Sequence, residues 1–302
     1  GEWYSPTQPR PPQDLMYGRA EMIVPDGLID FTPEMREQAL KNLERWVWKD
    51  GTLYNPPIAG DVNGMLGGIN LGNAGGGTNW PGGAFDPETG IVYASATTGA
   101  IGGISLAPPP EGYSNVNYMS GRIGEPFRMR NAAGTGQNPD APKEVNYPVF
   151  DGPRVAVPSL NVDGLNILKP PYGVIAAIDM KAGKVLWRVA HGETPDNVRN
   201  HPKLAGIDVA RTGQRGSVGT VVTKTLLILG DPRVTNPGDR ERGAMLRAYD
   251  KMTGENVGEL WMPAGQSGSP MTYAIDGKQY IIVAVSGGAY AGEFRAYSLP
   301  DD

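Results

Sequence analysis

The chain has 302 residues and a formal net charge of −5, and it contains no cysteine and only two histidines. The acidic balance argues against a nucleic-acid partner, which favours a basic protein surface. The lack of cysteine excludes disulfides, thiolate zinc sites and cysteine nucleophiles. Glycine (43 residues) and proline (28 residues) are abundant and dispersed, which is typical of an all-β protein with many turns.

The N-terminal region predicts an extended segment followed by one helix. Residues 1–30 are interrupted by proline and show no clear period, and the chain starts without methionine. We therefore expect either that a leader has been removed or that the chain is part of a longer one. Residues 32–48 predict a helix, because Thr32 suits the N-cap and Pro33 the first helical position. Its buried face would contain Met35, Ala39, Leu43, Trp46 and Val47.

Short apolar runs separated by turn signals follow the helix, and they predict antiparallel hairpins. No alternation of strand and helix occurs, so a parallel α/β sheet is disfavoured. Residues 99–170 are rich in glycine, proline and asparagine and predict a long loop insertion. The predicted strands cover residues 90–96, 172–180, 184–190, 219–231, 244–250, 270–276, 279–286 and 294–300.

The sequence Ala-x-Asp-x-x-(Thr/Ala)-Gly occurs three times, with aspartates at positions 86, 179 and 250. Its aspartate can accept hydrogen bonds from a tight turn, and its glycine can adopt a positive φ. Trp187 or Trp261 follows two of the copies, and Tyr93 falls near the same place in the first. Each copy predicts a hairpin whose ring docks on its neighbour, as in a β-propeller. Ordinary hairpin turns are the alternative.

Several short stretches resemble catalytic motifs only in part. The glycine-rich residues 75–83 have neither the lysine nor the following helix of a phosphate-binding loop. Residues 265–269 miss the last glycine of a nucleophile elbow. Residues 61–64 resemble a calcium loop faintly, and a plain turn is the better interpretation. His191 and His201 are interpreted as loop or packing residues.

Two further features concern charge and close packing. The arginines between residues 233 and 247 alternate with acidic residues, which predicts a solvated loop. Trp80 follows Asn79 among several glycines, a composition that suits close approach of the backbone to a flat ligand. The residues alone therefore predict a propeller-like β domain with an axial ligand site.

Taken in order, these motifs resemble the C-terminal half of a pyrroloquinoline quinone (PQQ)-dependent, or quinoprotein, dehydrogenase of the glucose/quinate dehydrogenase branch. The resemblance implies one partial propeller over residues 1–302, about half of an eight-bladed ring, with blades over 61–302. The helix at 32–48 would pack on these blades. The stretches that carry the resemblance include "DGLIDFTPEMREQAL", "GGGTNWPGGAFDPETGIVYAS", "GSVGTVVTKTLLILGD" and "AGQSGSPMTYAIDGKQYIIVAVSGG".

The resemblance also implies a function, the oxidation of an alcohol or sugar hydroxyl by hydride transfer to PQQ. A calcium or similar divalent ion would lie beside the cofactor. Asn79 would approach the quinone carbonyls and Trp80 would shape the same cavity. The turn at residues 216–219 would offer small residues and free backbone N–H groups to the PQQ carboxylates. The implied cofactor-binding residues are Asn79, Trp80, Gly216, Ser217, Val218 and Gly219.

The general base and the metal ligands are expected upstream, on a missing N-terminal half of the propeller. The expected partners are a small alcohol or sugar substrate and a quinone or cytochrome electron acceptor, in the periplasm. The chain departs from the glucose branch at residues 286–294, where Ala289 or Tyr290 takes the place of a histidine-bearing loop. Glucose therefore does not carry over as the substrate.

A non-catalytic propeller, serving as a scaffold or binding module, is the alternative function. Half a propeller leaves two open apolar sheet faces, so we expect the isolated chain to be poorly soluble or inactive.

Overall fold

Strands dominate the described part of the chain and form five sheets there, so the predicted all-β class is confirmed. The calcium-loop interpretation of residues 61–64 lies outside the described residues, as does most of the predicted insertion. The computed structural model describes residues 12, 15–18, 25–48, 58–59, 65–71, 77–108, 116–121 and 159–298.

Helices α1 and α2 span Pro33–Leu43 and Asp196–Arg199, and 3-10 turns cover Pro25–Gly27 and Pro202–Leu204. Strands β1 to β9 span Trp46–Val47, Ile58–Ala59, Gly67–Leu71, Gly83–Asp86, Ile91–Thr97, Ile101–Ala107, Met119–Ser120, Asn161–Val162 and Leu165–Asn166. Strands β10 to β18 span Gly173–Asp179, Lys184–Ala190, Val221–Val222, Leu226–Gly230, Ala244–Asp250, Asn256–Met262, Met271–Ile275, Lys278–Gly287 and Tyr290–Ser298.

Three of the sheets are antiparallel meanders of the kind that forms propeller blades. Blade 1 contains β4, β5, β10 and β11, each paired with the next. Blade 2 contains β12 to β15 and blade 3 contains β16 to β18, in chain order. The first strands of blades 1 and 2, β4 and β12, contact each other. The described chain therefore provides two four-stranded blades and one three-stranded blade.

Alternating strand direction sorts the connections onto two faces of the blades. Within each blade, one turn joins the first and second strands, and in the four-stranded blades another joins the third and fourth strands. These turns lie on the same side, which we call the turn face. All other connections lie at the opposite ends of the strands, which we call the loop face. In the described residues the loop face contains 77–82, 98–108, 116–121, 159–172, 191–220, 231–243, 263–270 and 288–289.

The repeated aspartate–glycine turns form as predicted. Asp250 Oδ1 accepts hydrogen bonds from the amides of Met252 and Thr253, at 2.8 and 2.9 Å. Gly254 follows with φ of 76°, the conformation that favours glycine. The turn after Asp179 repeats the arrangement, since its carboxylate accepts from two successive amides at 2.8 Å.

The first copy of the sequence differs from the other two in its place in the blade. Asp86 lies in the first-to-second-strand turn of blade 1, whereas the other copies join third to fourth strands. Trp187 docks as predicted, because its Nε1 donates to the Lys251 carbonyl of blade 2 at 3.2 Å. Tyr93 is no substitute for a docking ring, because it lies on β5 and packs beside Trp187 with centroids 6.0 Å apart.

The predicted helix forms, but it is shorter than residues 32–48. Thr32 Oγ1 accepts the Met35 amide at 3.2 Å as an N-cap, and the helix ends at Leu43. Trp46 instead begins β1, which pairs in parallel with β3. Its ring occupies the space left by Gly103 of β6, where a Cβ would stand 2.1 Å from a ring carbon. This distant contact overrides the helical pattern.

The predicted loop insertion contains regular structure in its described part. Strand β6 pairs with β3 and β7, and β8 and β9 form a hairpin. Helix α1 contacts β8, and Asn42 Nδ2 of the helix donates to the Asn161 carbonyl at 3.1 Å. The helix therefore packs on the described part of the insertion. Their shared core explains why: Leu28, Met35, Leu43, Val162, Leu165 and Leu168 are all buried together.

The arginine-rich segment is not simply a solvated loop. Arg247 lies on β14 with only 2% of its surface exposed, and its Nε donates to Asp231 Oδ1 at 2.6 Å. A second bond joins its Nη1 to Glu259 Oε2 at 2.6 Å. Burial opposes the guanidinium charge, but the bonds to Asp231 prevail and raise the pKa of Arg247. The alternation of charges in the sequence thus reflects a buried ion-pair network.

A buried ion pair on the turn face, between Lys251 and Asp86, predicts a pH-dependent link between blades 1 and 2. Lys251 Nζ lies 2.7 Å from Asp86 Oδ2, and both side chains are 6% exposed. The hydrogen bond from Lys251, with a smaller contribution from that of Thr89, lowers the pKa of Asp86 to about 2. The stabilisation is therefore present above pH 4 and is lost as the pH falls toward 2. In the full-length protein that contains this chain, we expect Lys251→Met to lower the melting temperature clearly at pH 7 and much less near pH 2.

The matched control is Lys203→Met, which removes an exposed lysine–aspartate pair of the same length, 2.7 Å to Asp163. Because exposed pairs contribute little, we expect almost no change in melting temperature at either pH. Equal effects of the two substitutions at pH 7 would contradict the importance of the buried pair.

Candidate functional site

The structure brings together the two segments predicted to bind a cofactor. Residues 77–80 precede β4 and residues 216–219 precede β12, and both lie on the loop face. The Gly77 carbonyl accepts hydrogen bonds from the Thr97 amide at 2.7 Å and from Ser217 Oγ at 3.3 Å. The Gly216 amide donates to Thr97 Oγ1 at 2.9 Å. The end of β5 therefore joins the two segments.

Glycine is required where the second segment packs most tightly. A Cβ on Gly216 would stand 2.5 Å from the Pro232 ring, and φ there is 155°. A Cβ on Gly219 would stand 2.0 Å from Ser269 Oγ, in the segment that leads into blade 3. Any side chain at these positions would push neighbouring loops apart. The small residues of this segment are therefore explained by packing against neighbouring loops.

Asn79 and Trp80 point away from the packed interior. Asn79 Oδ1 accepts the Trp80 amide at 2.9 Å, and its backbone carbonyl accepts the Gly82 amide at 2.9 Å, which closes a turn. The Asn79 Nδ2 group donates to no described residue. Trp80 is 97% exposed, which is unusual for the largest apolar side chain. The turn thus presents an amide donor and a free indole face beside β4.

The backbone N–H groups of the second segment are less available than expected. The Gly216 amide donates to Thr97 Oγ1, and the Val218 amide donates to Ser95 Oγ at 3.1 Å. Ser217 and Gly219 are the two members whose amides meet no acceptor among the described residues. Of the backbone N–H groups expected to be free, two are thus engaged by hydroxyl groups on β5.

Both histidines have structural partners, in agreement with the sequence-based interpretation. His191 Nδ1 lies 3.0 Å from the Tyr249 hydroxyl and its Nε2 lies 3.1 Å from the Gly230 carbonyl. Because a carbonyl only accepts, Nε2 carries the hydrogen and the hydroxyl donates to Nδ1. Burial lowers the pKa of His191 to about 3. His201 Nδ1 accepts the Lys203 amide at 3.3 Å at the start of a 3-10 turn.

Described residues of the loop face line at least two cavities. The first, about 300 Å³, is lined by Tyr172, Gln214 and Arg215 among others and lies beside the Gly216 segment. The second, about 480 Å³, lies between blades 2 and 3 and is lined by Arg242 and by the β17–β18 turn. Ala289 and Tyr290 line this second cavity. Arg233 lines both cavities.

Sequence reasoning did not identify these cavity-lining arginines as site residues, because acidic residues alternate with arginines in this part of the chain. The acids Glu193 and Glu259 pair with Arg240, and Asp231 and Glu259 pair with Arg247. Arg215, Arg233 and Arg242 form no ion pair with any residue that the structure describes. The alternation of charge along the chain does not show which arginines are paired and which are unpaired. That difference depends on which side chains point into the protein.

Two searches of the described residues gave no further site. No group of three or more histidine, aspartate or glutamate side chains stands close enough to hold a metal ion within the described ranges. In the same residues, no helix combines the length and the apolar character needed to cross a bilayer.

Comparison with known proteins places the chain among quinoproteins. The model of the PQQ glucose/ethanol/alcohol dehydrogenase β-propeller domain matches residues 1–281. Quinoprotein glucose dehydrogenase A of Acinetobacter calcoaceticus is 28% identical over 59% of this chain and 21% of its own length. The quinate/shikimate dehydrogenase (quinone) of Acinetobacter baylyi is 25% identical over 99% of this chain and 33% of its own length.

A solved structure, the quinohemoprotein alcohol dehydrogenase from Comamonas testosteroni, aligns with 70% of this chain and 22% of its own length. Its sequence identity is 22% and the TM-score is 0.36. The chain thus spans between about a fifth and a third of the length of these relatives. The predicted resemblance to the glucose and quinate dehydrogenases is confirmed by the family and sequence matches.

The buried His191 predicts a pH dependence of stability. Its folded pKa of about 3 lies below the usual value of 6.5, so the unfolded chain binds the extra proton. As the pH falls from 6.5 to 3, the free energy of unfolding should therefore decrease by up to about 1.4 kcal/mol for each pH unit. We expect His191→Gln to reduce this slope in thermal unfolding of the full-length protein, while His201→Gln, on the exposed turn, keeps it. An unchanged slope in His191→Gln would show that the buried imidazole is not responsible.

Proposed function

We propose, on the premise that this chain belongs to the PQQ glucose/ethanol/alcohol dehydrogenase β-propeller family, that it forms part of a quinoprotein dehydrogenase. The enzyme would oxidise an alcohol or sugar hydroxyl. One observation carries the proposal beyond family membership. Asn79 and Trp80 stand free on the loop face beside the packed segment of residues 216–219. An exposed amide donor and an exposed apolar ring on adjacent residues suit a flat, oxygen-bearing ligand.

The residues fit PQQ in a specific way. The Asn79 Nδ2 group is a donor for the quinone oxygens, where it would stabilise developing negative charge. Trp80 would cover one side of the ligand and exclude water from it. The amides of Ser217 and Gly219 remain for the carboxylates. PQQ, when bound, supplies the chemistry of accepting a hydride from the alcohol carbon.

The buried His191 is not suited to act as the general base of this reaction. His191 is buried and held neutral by its low pKa, with both ring nitrogens engaged by Tyr249 and Gly230. We therefore assign the general base, the ligands of a calcium or similar divalent ion, and the remaining blades to other parts of the full-length protein. The low coverage of the relatives' length supports this division.

The proposed partners follow from the same reasoning. They are a small alcohol or sugar, a quinone or cytochrome electron acceptor, and the rest of the propeller, in the periplasm. Glucose is not favoured, because residues 286–294 depart from the histidine-bearing loop that the resemblance to the glucose branch implies. The cavity lined by Ala289 and Tyr290 supports a role of this segment in substrate choice.

A non-catalytic scaffold remains the second candidate, and one observation favours it. The amides of Gly216 and Val218 already bind hydroxyls of this chain, so the segment has a structural role without any ligand. A scaffold would need the packing of residues 216–219 but would have no use for the free Asn79 amide.

Substitution of Asn79 separates the two functions. We expect the full-length protein, loaded with PQQ and Ca²⁺, to reduce an artificial dye with at least one member of a panel of alcohols, polyols and sugars. Asn79→Ala should lower kcat about 10²-fold, as for the loss of one charge-stabilising donor. The control Asn42→Ala removes an exposed amide of helix α1 and should leave kcat within about twofold of wild type. Failure of the wild type to bind PQQ, measured by absorbance, would favour the scaffold.

The terminal blades predict the behaviour of the chain in isolation. Phe85 of β4 is 56% exposed and Phe294 of β18 is 80% exposed, together with Met271 and Ile275 of blade 3. Exposed apolar sheet faces promote association. We expect the isolated 302-residue chain to aggregate and to lack dehydrogenase activity, as measured by light scattering and dye reduction. A soluble, active monomer of this length would contradict the proposed need for further blades.

A further inference from the structure

Ser95, on β5, contacts the second predicted segment through its side chain. Its Oγ donates to the Val218 carbonyl at 2.8 Å and accepts the Val218 amide at 3.1 Å. Both residues are almost fully buried, at 1% and 2% exposure. One hydroxyl therefore satisfies both backbone groups of Val218, a residue that lies 123 positions further along the chain.

The backbone of Ser95 contacts the first predicted segment. Its carbonyl accepts a hydrogen bond from Thr78 Oγ1 at 3.0 Å, and Thr78 directly precedes Asn79. The Tyr17 hydroxyl donates to the same Thr78 oxygen at 2.9 Å, which fixes the orientation of the threonine side chain. The side chain and the carbonyl of Ser95 thus hold one segment each.

Thr97 repeats the arrangement two positions later on the same strand. Its amide donates to the Gly77 carbonyl at 2.7 Å, and its Oγ1 accepts the Gly216 amide at 2.9 Å. Residues two apart on a strand face the same side, so Ser95 and Thr97 act in parallel. Because β5 lies between two paired strands, β4 and β10, it is a rigid reference for both segments.

We propose that Ser95 is a positioning residue for PQQ, which fixes the Asn79 turn and residues 216–219 at one separation. The inference rests on the proposed function and adds to it a residue that touches no ligand. A donor such as Asn79 is effective only when it is held within about 0.5 Å of its productive place. Ser95→Ala removes the hydroxyl and leaves the amide and carbonyl of Val218 unsatisfied in a buried position. The two segments then move relative to each other.

The first test measures PQQ binding by quenching of tryptophan fluorescence in the full-length protein with Ca²⁺ present. We expect Ser95→Ala to raise the Kd for PQQ about tenfold, the factor that corresponds to one buried hydrogen bond. The control is Ser105→Ala, on β6. Ser105 is also buried, but its Oγ bonds to no described residue, so Kd should stay within about twofold of wild type.

A double-mutant cycle with Asn79→Ala distinguishes positioning from general loss of stability. If Ser95 acts by placing Asn79, then Asn79→Ala should raise Kd severalfold less in the Ser95→Ala background than in wild type. Additive effects would overturn the positioning role, and so would an unchanged Kd in Ser95→Ala. If Ser95→Ala fails to fold, Thr97→Val and Thr78→Val remove neighbouring hydroxyls from the same arrangement and are tested in the same cycle. A wild type that binds no PQQ would instead refute the proposed function itself.

Discussion

The contact between blades 1 and 2 is the constraint on which the rest of the molecule depends. Trp187 reaches across the turn face to the Lys251 carbonyl, and the Lys251 ammonium reaches back to Asp86. These bonds set the two sheets side by side in the same orientation. Because each sheet is rigid, a fixed spacing at the turn face fixes the spacing at the loop face. The Asn79 turn and residues 216–219 meet there as a consequence.

Local features of the fold could be predicted from sequence, and non-local ones could not. The turns at Asp179 and Asp250 depend on atoms within five residues, so the repeated sequence specifies them. The start of helix α1 depends on Thr32 in the same local way. Its end depends on Trp46, whose place is set by Gly103, and no pattern around Trp46 contains that information. The prediction of Tyr93 as a docking ring was wrong for the same reason, because its spacing from the turn does not show on which strand of the blade it lies.

The candidate site shows the same division. Asn79, Trp80 and residues 216–219 were predicted through a family resemblance, and the structure does place these two segments together. What the sequence could not show is that the Gly216 and Val218 amides are occupied, since their partners on β5 lie 119 and 123 positions away. Because these two amides hold the segment against β5, they are not available as donors to a ligand. In the proposed function, positioning and direct binding therefore fall on different residues of one cluster.

The ion pairs of blade 2 explain why some arginines of an acidic chain lack an acidic partner among the described residues. In blade 2 and its loops, Arg240 and Arg247 form ion pairs with three acidic residues, Glu193, Asp231 and Glu259. The arginines that line the loop-face cavities form no ion pair with a described residue, although the net charge of the chain is −5. The local potential at a cavity depends on the nearest charges rather than on the sum over the chain. The charge at each cavity therefore has to be judged from its own lining, which in the first cavity combines Arg215 and Arg233 with Asp196.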